Sequence, residues 1–131
     1  MVEVVRKKVS YSYEEAIKKV ENALSAEGFA LLLTKDLSDI FKKKLGVEDY
    51  PKYSFILACK PELAKMALDV SKDTGTLFPC SFVVYEDGDE VYVGHSSIMQ
   101  IAAETNLAPA DDMAPVIYET GKSIGPVWDH I

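Results

Sequence analysis

The spacing of apolar residues along this chain changes rhythm several times, and each change marks an element. Val2 to Val9 alternates weakly and is rich in valine, which predicts a first strand. From Ser12 the rhythm turns helical, with Ala16, Ile17, Val20, Ala23 and Leu24 recurring on one face. Ser12 and Glu15 stand at capping-box spacing, and Gly28 suits the left-handed position after the last turn. Phe29 to Lys35 (FALLLTK) reads as a second strand. A short helix follows, opened by Asp36 and stopped by Gly46, and Pro51 keeps the connection VEDYPKY from continuing as helix.

Tyr53 to Cys59 (YSFILAC) is a third strand, with Tyr53, Phe55 and Leu57 on one face and Ile56 and Ala58 on the other. Pro61 suits the first position of a helix running to about Val70, with Leu63, Ala64, Ala67 and Leu68 inward. CSFVVYEDGDEVYV, from Cys80, is the strongest local pattern. Two β-rich runs flank Asp87-Gly88, a dipeptide favoured in type I′ hairpin turns. Ser97 to Thr105 is a third full helix, and the tail, residues 107–131, is expected to hold a broken helix around Asp111 to Glu119 and an irregular end.

The order β-α-β-(α)-β-α-β-β-α predicts one α+β domain over residues 1–131. It would be a two-layer sandwich with a mixed sheet of about five strands and helices mainly on one face. The third and fourth strands bracket a helix, so a parallel right-handed crossover is expected between them. That would set Cys59 and Cys80 at opposite ends of the sheet, about 20 Å apart, too far for a disulfide. The second and third strands are apolar on both sides, as strands covered on both faces are, yet the helices suffice for one. The other face must meet the tail, a second copy of the chain, or a ligand. A homodimer follows as an expectation, with Tyr118 and Trp128 of the tail as candidate intersubunit contacts.

Charge narrows the partners. The 131 residues carry a net charge of −7, which opposes non-specific nucleic-acid binding, a property built on Lys and Arg neutralising phosphates. An anionic membrane surface is disfavoured in the same way. No run reaches the ~18 to 20 apolar residues of a bilayer span, and the N-terminus lacks the apolar stretch and cleavage site of a signal peptide. Two cysteines make no disulfide framework. A cytoplasmic protein with reduced thiols is expected.

Candidate chemistry is sparse. Cys59 stands where strand becomes helix, beside Lys60, and a helix start favours thiolate. Pro61 removes one amide donor there and Glu62 adds an opposing charge. Cys59 is therefore weighed as a nucleophile or redox thiol with Lys60 as its helper, against plain packing, the usual role of a buried cysteine. Cys80 follows Pro79 into an apolar strand, where core packing is the plainer role. Cys59, Cys80, Phe78, Tyr85 and His95 form the candidate ligand-binding set. Metal binding by Cys59, Cys80 and His95 would need a different topology, so no metal or cofactor is expected. No phosphate-binding glycine loop or Ser–His–Asp arrangement appears. The preferred reading is a non-enzymatic homodimer that binds a small ligand or a protein. Thiol-based redox, sulfur-carrier or nucleophilic chemistry at Cys59 is the alternative, and metal binding a second one.

Four stretches carry a family resemblance: Lys43 to Gly46 (KKLG), Ala58 to Ala64 (ACKPELA), Leu77 to Cys80 (LFPC) and Val83 to Glu86 (VVYE). Together, and with a looser match over Glu27 to Leu37, the chain resembles the family catalogued as domain of unknown function 302 across about two thirds of its length. The resemblance implies a small two-layer α/β domain, often dimeric and prokaryotic, with no established activity. Lys60 stands where that family commonly has asparagine. HSSIMQIAAET lacks a proline often found there, and the tail beyond Asn106 lies outside the resemblance.

Overall fold

A computed structural model describes residues 2–131. The chain runs β1 (Val5–Val9), α1 (Tyr13–Ala26), β2 (Ala30–Asp36), α2 (Leu37–Leu45), β3 (Tyr53–Cys59) and α3 (Pro61–Val70). A 3-10 helix (Lys72–Leu77), β4 (Cys80–Asp87), β5 (Glu90–His95), α4 (Ile98–Glu104) and α5 (Ala110–Asp129) complete it. The α+β class, the five strands and the helical layer on one face are those the apolar pattern predicts.

The local punctuation works as the side chains dictate. The Ser12 hydroxyl accepts from the Glu15 amide at the start of α1, and the Asp36 carboxylate accepts from the Asp39 amide at the start of α2. Gly46 ends α2 at φ 70°, a left-handed conformation that costs a glycine little. The hairpin turn is centred one residue later than expected, on Gly88 and Asp89, with Asp87 paired to Glu90. Of these two, Gly88 alone has positive φ, the pattern of a type II′ turn rather than I′.

Sheet order is β1-β5-β4-β3-β2, and every neighbouring pair is antiparallel. The expected mixed sheet and parallel β3–β4 crossover are therefore corrected. The reason is the 3-10 helix, whose sequence KDTGTL carries no apolar rhythm. Ten residues of α3 carry the chain about 15 Å out. Six residues of 3-10 helix return it about 12 Å. The chain so re-enters the sheet at the end it left, with Ala58 opposite Cys80. Cys59 and Cys80 lie at the same end of the sheet, not about 20 Å apart.

The tail is also corrected. Residues 110–129 form one continuous helix despite Pro115 and Pro126 inside it. Each proline removes a backbone bond, but Met113, Val116, Thr120 and Val127 keep a buried stripe along α5, which packs against α1, α3 and α4. Trp128, expected at an intersubunit contact, packs within its own chain near Phe82 and under the Lys7 ammonium. Tyr118 stays exposed, with Lys122 over its ring.

The core lies between this helical layer and one face of the sheet. Val20 and Leu24 of α1 meet Ile56, Phe82, Val84 and Val93 of the sheet, and all six are fully buried. Each such side chain contributes ~1.5 to 3 kcal/mol of burial. Because α5 joins the layer on this side, the tail leaves the opposite face of the sheet uncovered.

Candidate functional site

Two places gather chemistry: a crevice at the end of β3 and β4, and a groove on the open sheet face.

The crevice brings both sulfurs together. Lys60 is the N-cap residue of α3, with extended backbone and no capping side-chain bond, and Pro61 is at the first helical position. Cys59 is half-buried and Cys80 buried, and both thiols are free. Phe29, Leu63, Phe78, Met99 and Thr120 close around them, leaving about 20 Å³, room for roughly one water. Burial, and to a smaller extent the neighbouring Cys59, push the Cys80 thiol up to about 11. The Lys60 ammonium reaches away along the helical layer, donating to Ser123 Oγ at 3.2 Å and lying 5.7 Å from the centre of the Phe29 ring.

His95 is buried on the helical side. Its ring stacks on Phe82 with centroids 4.3 Å apart, and its Nδ1 lies 3.0 Å from the Ser81 carbonyl. A carbonyl oxygen only accepts, so Nδ1 carries the proton. Burial holds the imidazole below its ordinary pKa. Among the described residues no three Cys, His, Asp or Glu side chains converge as a metal site requires. Tyr85 lies on the opposite, open face. The predicted ligand set thus splits: Cys59, Cys80 and Phe78 meet in the crevice, while Tyr85 and His95 stand on opposite sides of the sheet.

The open face was only partly foreseen. Alternation puts Tyr53, Phe55 and Leu57 of β3 on it, half-buried, while Ser54, Ile56 and Ala58 between them are fully covered. The register then aligns Tyr53 with Tyr85 and Tyr85 with Tyr92. The three rings form a stacked ladder across β3, β4 and β5, with centroids 5.5 and 5.6 Å apart. Beside it runs a groove of about 420 Å³ floored by Val83 and Gly94 and edged by Arg6, Tyr53 and Tyr85. Its size falls in the range of small-molecule sites, ~300 to 1,000 Å³.

A buried polar cluster also escaped the sequence reading. The Tyr13 hydroxyl donates to Asp36 Oδ2 at 3.3 Å and is hydrogen-bonded to Ser54 Oγ. Desolvation is the main reason its pKa rises to about 12. The residues come from α1, β2 and β3, and only their odd polarity at core-facing positions hinted at them.

A five-stranded antiparallel sheet, helices on one side and an aromatic platform bare on the other, defines a two-layer α+β protein. A family model described as Domain of unknown function DUF302 matches residues 5–127, and the chain belongs to that family. The match takes in most of the tail, which the motif resemblance left out. A solved structure, that of an uncharacterized conserved DUF302 protein from Bacillus stearothermophilus, shares the fold with a TM-score of 0.84. It is 22% identical in sequence, and the alignment covers 97% of this chain and 96% of that one. No curated protein matches the chain. Among the described residues no helix is long and apolar enough to cross a membrane.

Proposed function

We propose that this protein is a non-enzymatic binding module whose open sheet face receives a small ligand and whose β2 edge pairs with a second copy of the chain. The observation that carries the reading is the uncovered ladder Tyr53–Tyr85–Tyr92, an apolar surface with polar tips that the chain's own helices leave bare. Such rings combine contact area with a polar handle, which suits recognition.

The dimer part rests on β2. It is an edge strand, so one row of its backbone amides and carbonyls has no partner strand. Leu31, Leu32 and Leu33 on it are 41%, 55% and 42% exposed. Antiparallel pairing of two β2 edges about a two-fold axis normal to the sheet satisfies both rows. It also keeps both open faces on one side. Light scattering at micromolar concentration is expected to give twice the 14.5 kDa chain mass, and Leu32→Lys to give one chain mass. A wild-type mass of one chain removes the dimer. A cytoplasmic setting accords with two free thiols.

Thiol chemistry at Cys59 is a second reading, favoured by the meeting of two thiols in one crevice. The cramped space and the raised Cys80 pKa weigh against a working pair. Iodoacetamide labelling of the folded protein tests it. Modification of Cys59 no faster than a free cysteine peptide across neutral pH ends this reading.

A further inference from the structure

Resting on the open-face reading above, we infer that the groove beside the tyrosine ladder binds a small planar aromatic anion, held by stacking on Tyr85 and by the Arg6 guanidinium. The argument begins with charge. The chain has a net charge of −7, yet among the described residues no carboxylate lines this groove and Arg6 brings the one full charge, His95 at the margin being buried and pushed toward its neutral form. The other basic residue on β1's outward side, Lys8, is committed to Glu90 at 2.9 Å. Among the described residues Arg6 has no ion-pair partner. An exposed guanidinium beside an aromatic floor offers a planar fork of donors that fits a carboxylate in bidentate fashion.

Shape supplies the second part. Arg6 is register-paired with Gly94, and Gly94 with Val83, so the cation, the glycine and the valine form one row across three strands. Any side chain at 94 would fill the floor: a Cβ there would come within 3.1 Å of Val83 Cγ2. The missing side chain gives the groove its depth. Tyr53 and Tyr85 stand along one flank with nearly parallel rings, 12° apart, a surface on which a flat aromatic group stacks. The Ser81 hydroxyl adds a neutral hydrogen-bonding group at the margin. A cation meets repulsion from Arg6, and a neutral ring forgoes the charge-assisted bonds.

The test is a two-dimensional NMR titration of the full chain with three matched probes: 2-naphthoate, 2-naphthalenemethanol and 2-naphthylmethylammonium. The expected result is that naphthoate shifts the amides of Ser81, Val83, Tyr85 and Gly94. It should bind about tenfold more tightly than the neutral alcohol, the factor one charge-assisted hydrogen bond carries at an exposed site. Arg6→Gln, a change at an exposed side chain, should erase the preference, bringing the naphthoate-to-alcohol affinity ratio from about ten to about one. Equal affinities for the three probes at these amides, or a naphthoate preference that survives Arg6→Gln, overturn the anion assignment and leave the open face a binding surface. No shift at these amides with any probe overturns both.

Discussion

The two faces of the sheet are built from the same strands, residue by residue in alternation, and they differ in what they stabilise. On the helical side Ile56, Phe82, Val84 and Val93 are sealed completely. On the open side Tyr53, Val83, Tyr85 and Tyr92 remain partly wet. Apolar residues fill both sides of β3 and β4, but those on one side alone sit in the close-packed interior where each lost methylene is felt. The contrast teaches that the open face's aromatic content is in excess of what the fold requires. That excess is the physical basis of the proposal that this face serves recognition.

The largest effect that would expose this contrast is Phe82→Ala. Phe82 is fully buried, stacks on His95 and lies 6.3 Å from Trp128 between ring centroids. Its removal leaves a large cavity and is expected to cost ~3 to 5 kcal/mol. Val83→Ala, one residue along and facing outward, is expected to cost under about 1 kcal/mol. Paired urea melts measure both. Similar losses for the two would abolish the distinction between faces.

The next effect is pH dependence, which two groups buried on the covered side, Cys80 and His95, are expected to carry. Cys80 holds its proton more tightly when folded, up to about 11 against an ordinary 9.0. Its stabilisation is complete below pH 9 and is lost as pH rises toward 11. The difference is worth roughly 2 to 3 kcal/mol. His95 runs the other way: burial lowers it from 6.5, so its contribution is present above that pH and lost as pH falls through the lowered value. Stability is expected to be flat between about pH 6.5 and 9. Urea midpoints across pH check this, and Cys80→Ala should flatten the alkaline limb between about pH 9 and 10, below the range in which Tyr13 contributes.

A middle-sized effect belongs to Tyr13. Its hydroxyl serves Asp36 and the buried Ser54, so Tyr13→Phe leaves Ser54 short of a partner at an expected cost of about 1 to 2 kcal/mol. Because its folded pKa is raised from 10.0 to about 12, the same variant should remove a loss of stability that sets in above pH 10. Thermal melts at pH 7 and pH 11 separate these two consequences.

How much of this was legible in the sequence depends on how far apart the interacting residues lie. The bounds of β3, the caps Ser12 and Asp36, and the stops at Gly28 and Gly46 rest on neighbours within a few residues, where period and turn chemistry speak directly. Strand direction between β3 and β4 was lost because it hangs on KDTGTL, a segment whose 3-10 geometry leaves no apolar rhythm. The cysteine separation failed with it. Two prolines and two glycines made α5 look broken, since local propensity counts against them, while the buried stripe from Met113 to Val127 decides otherwise. The groove was invisible for a similar reason. Arg6, Val83 and Gly94 meet only through a register across three strands, and alternation gives the face of each residue without giving its partner. Tyr85 was named for its chemistry, and the ladder that gives it meaning came from the fold.

The smallest expected effect is the most informative about the open face. Cross-strand aromatic pairs contribute ~0.2 to 1 kcal/mol each, so Tyr85→Leu, which removes both ladder contacts, should cost no more than about 2 kcal/mol. A double-mutant cycle with Tyr53→Leu should give a coupling within the range of a single pair. The side chain stands half in solvent, its leucine replacement keeps β-face apolar area, and no core contact depends on it. Chemical denaturation of the four proteins measures the coupling, and amide shifts confined to β3, β4 and β5 verify that the fold is intact. A loss above about 3 kcal/mol would mean that the ladder holds the sheet together as Phe82 does. The two faces would then be alike in energetics, and the excess that points to recognition would vanish. A small loss, with naphthoate affinity falling severalfold in the same variant, would show that the ring serves the groove more than it serves the fold.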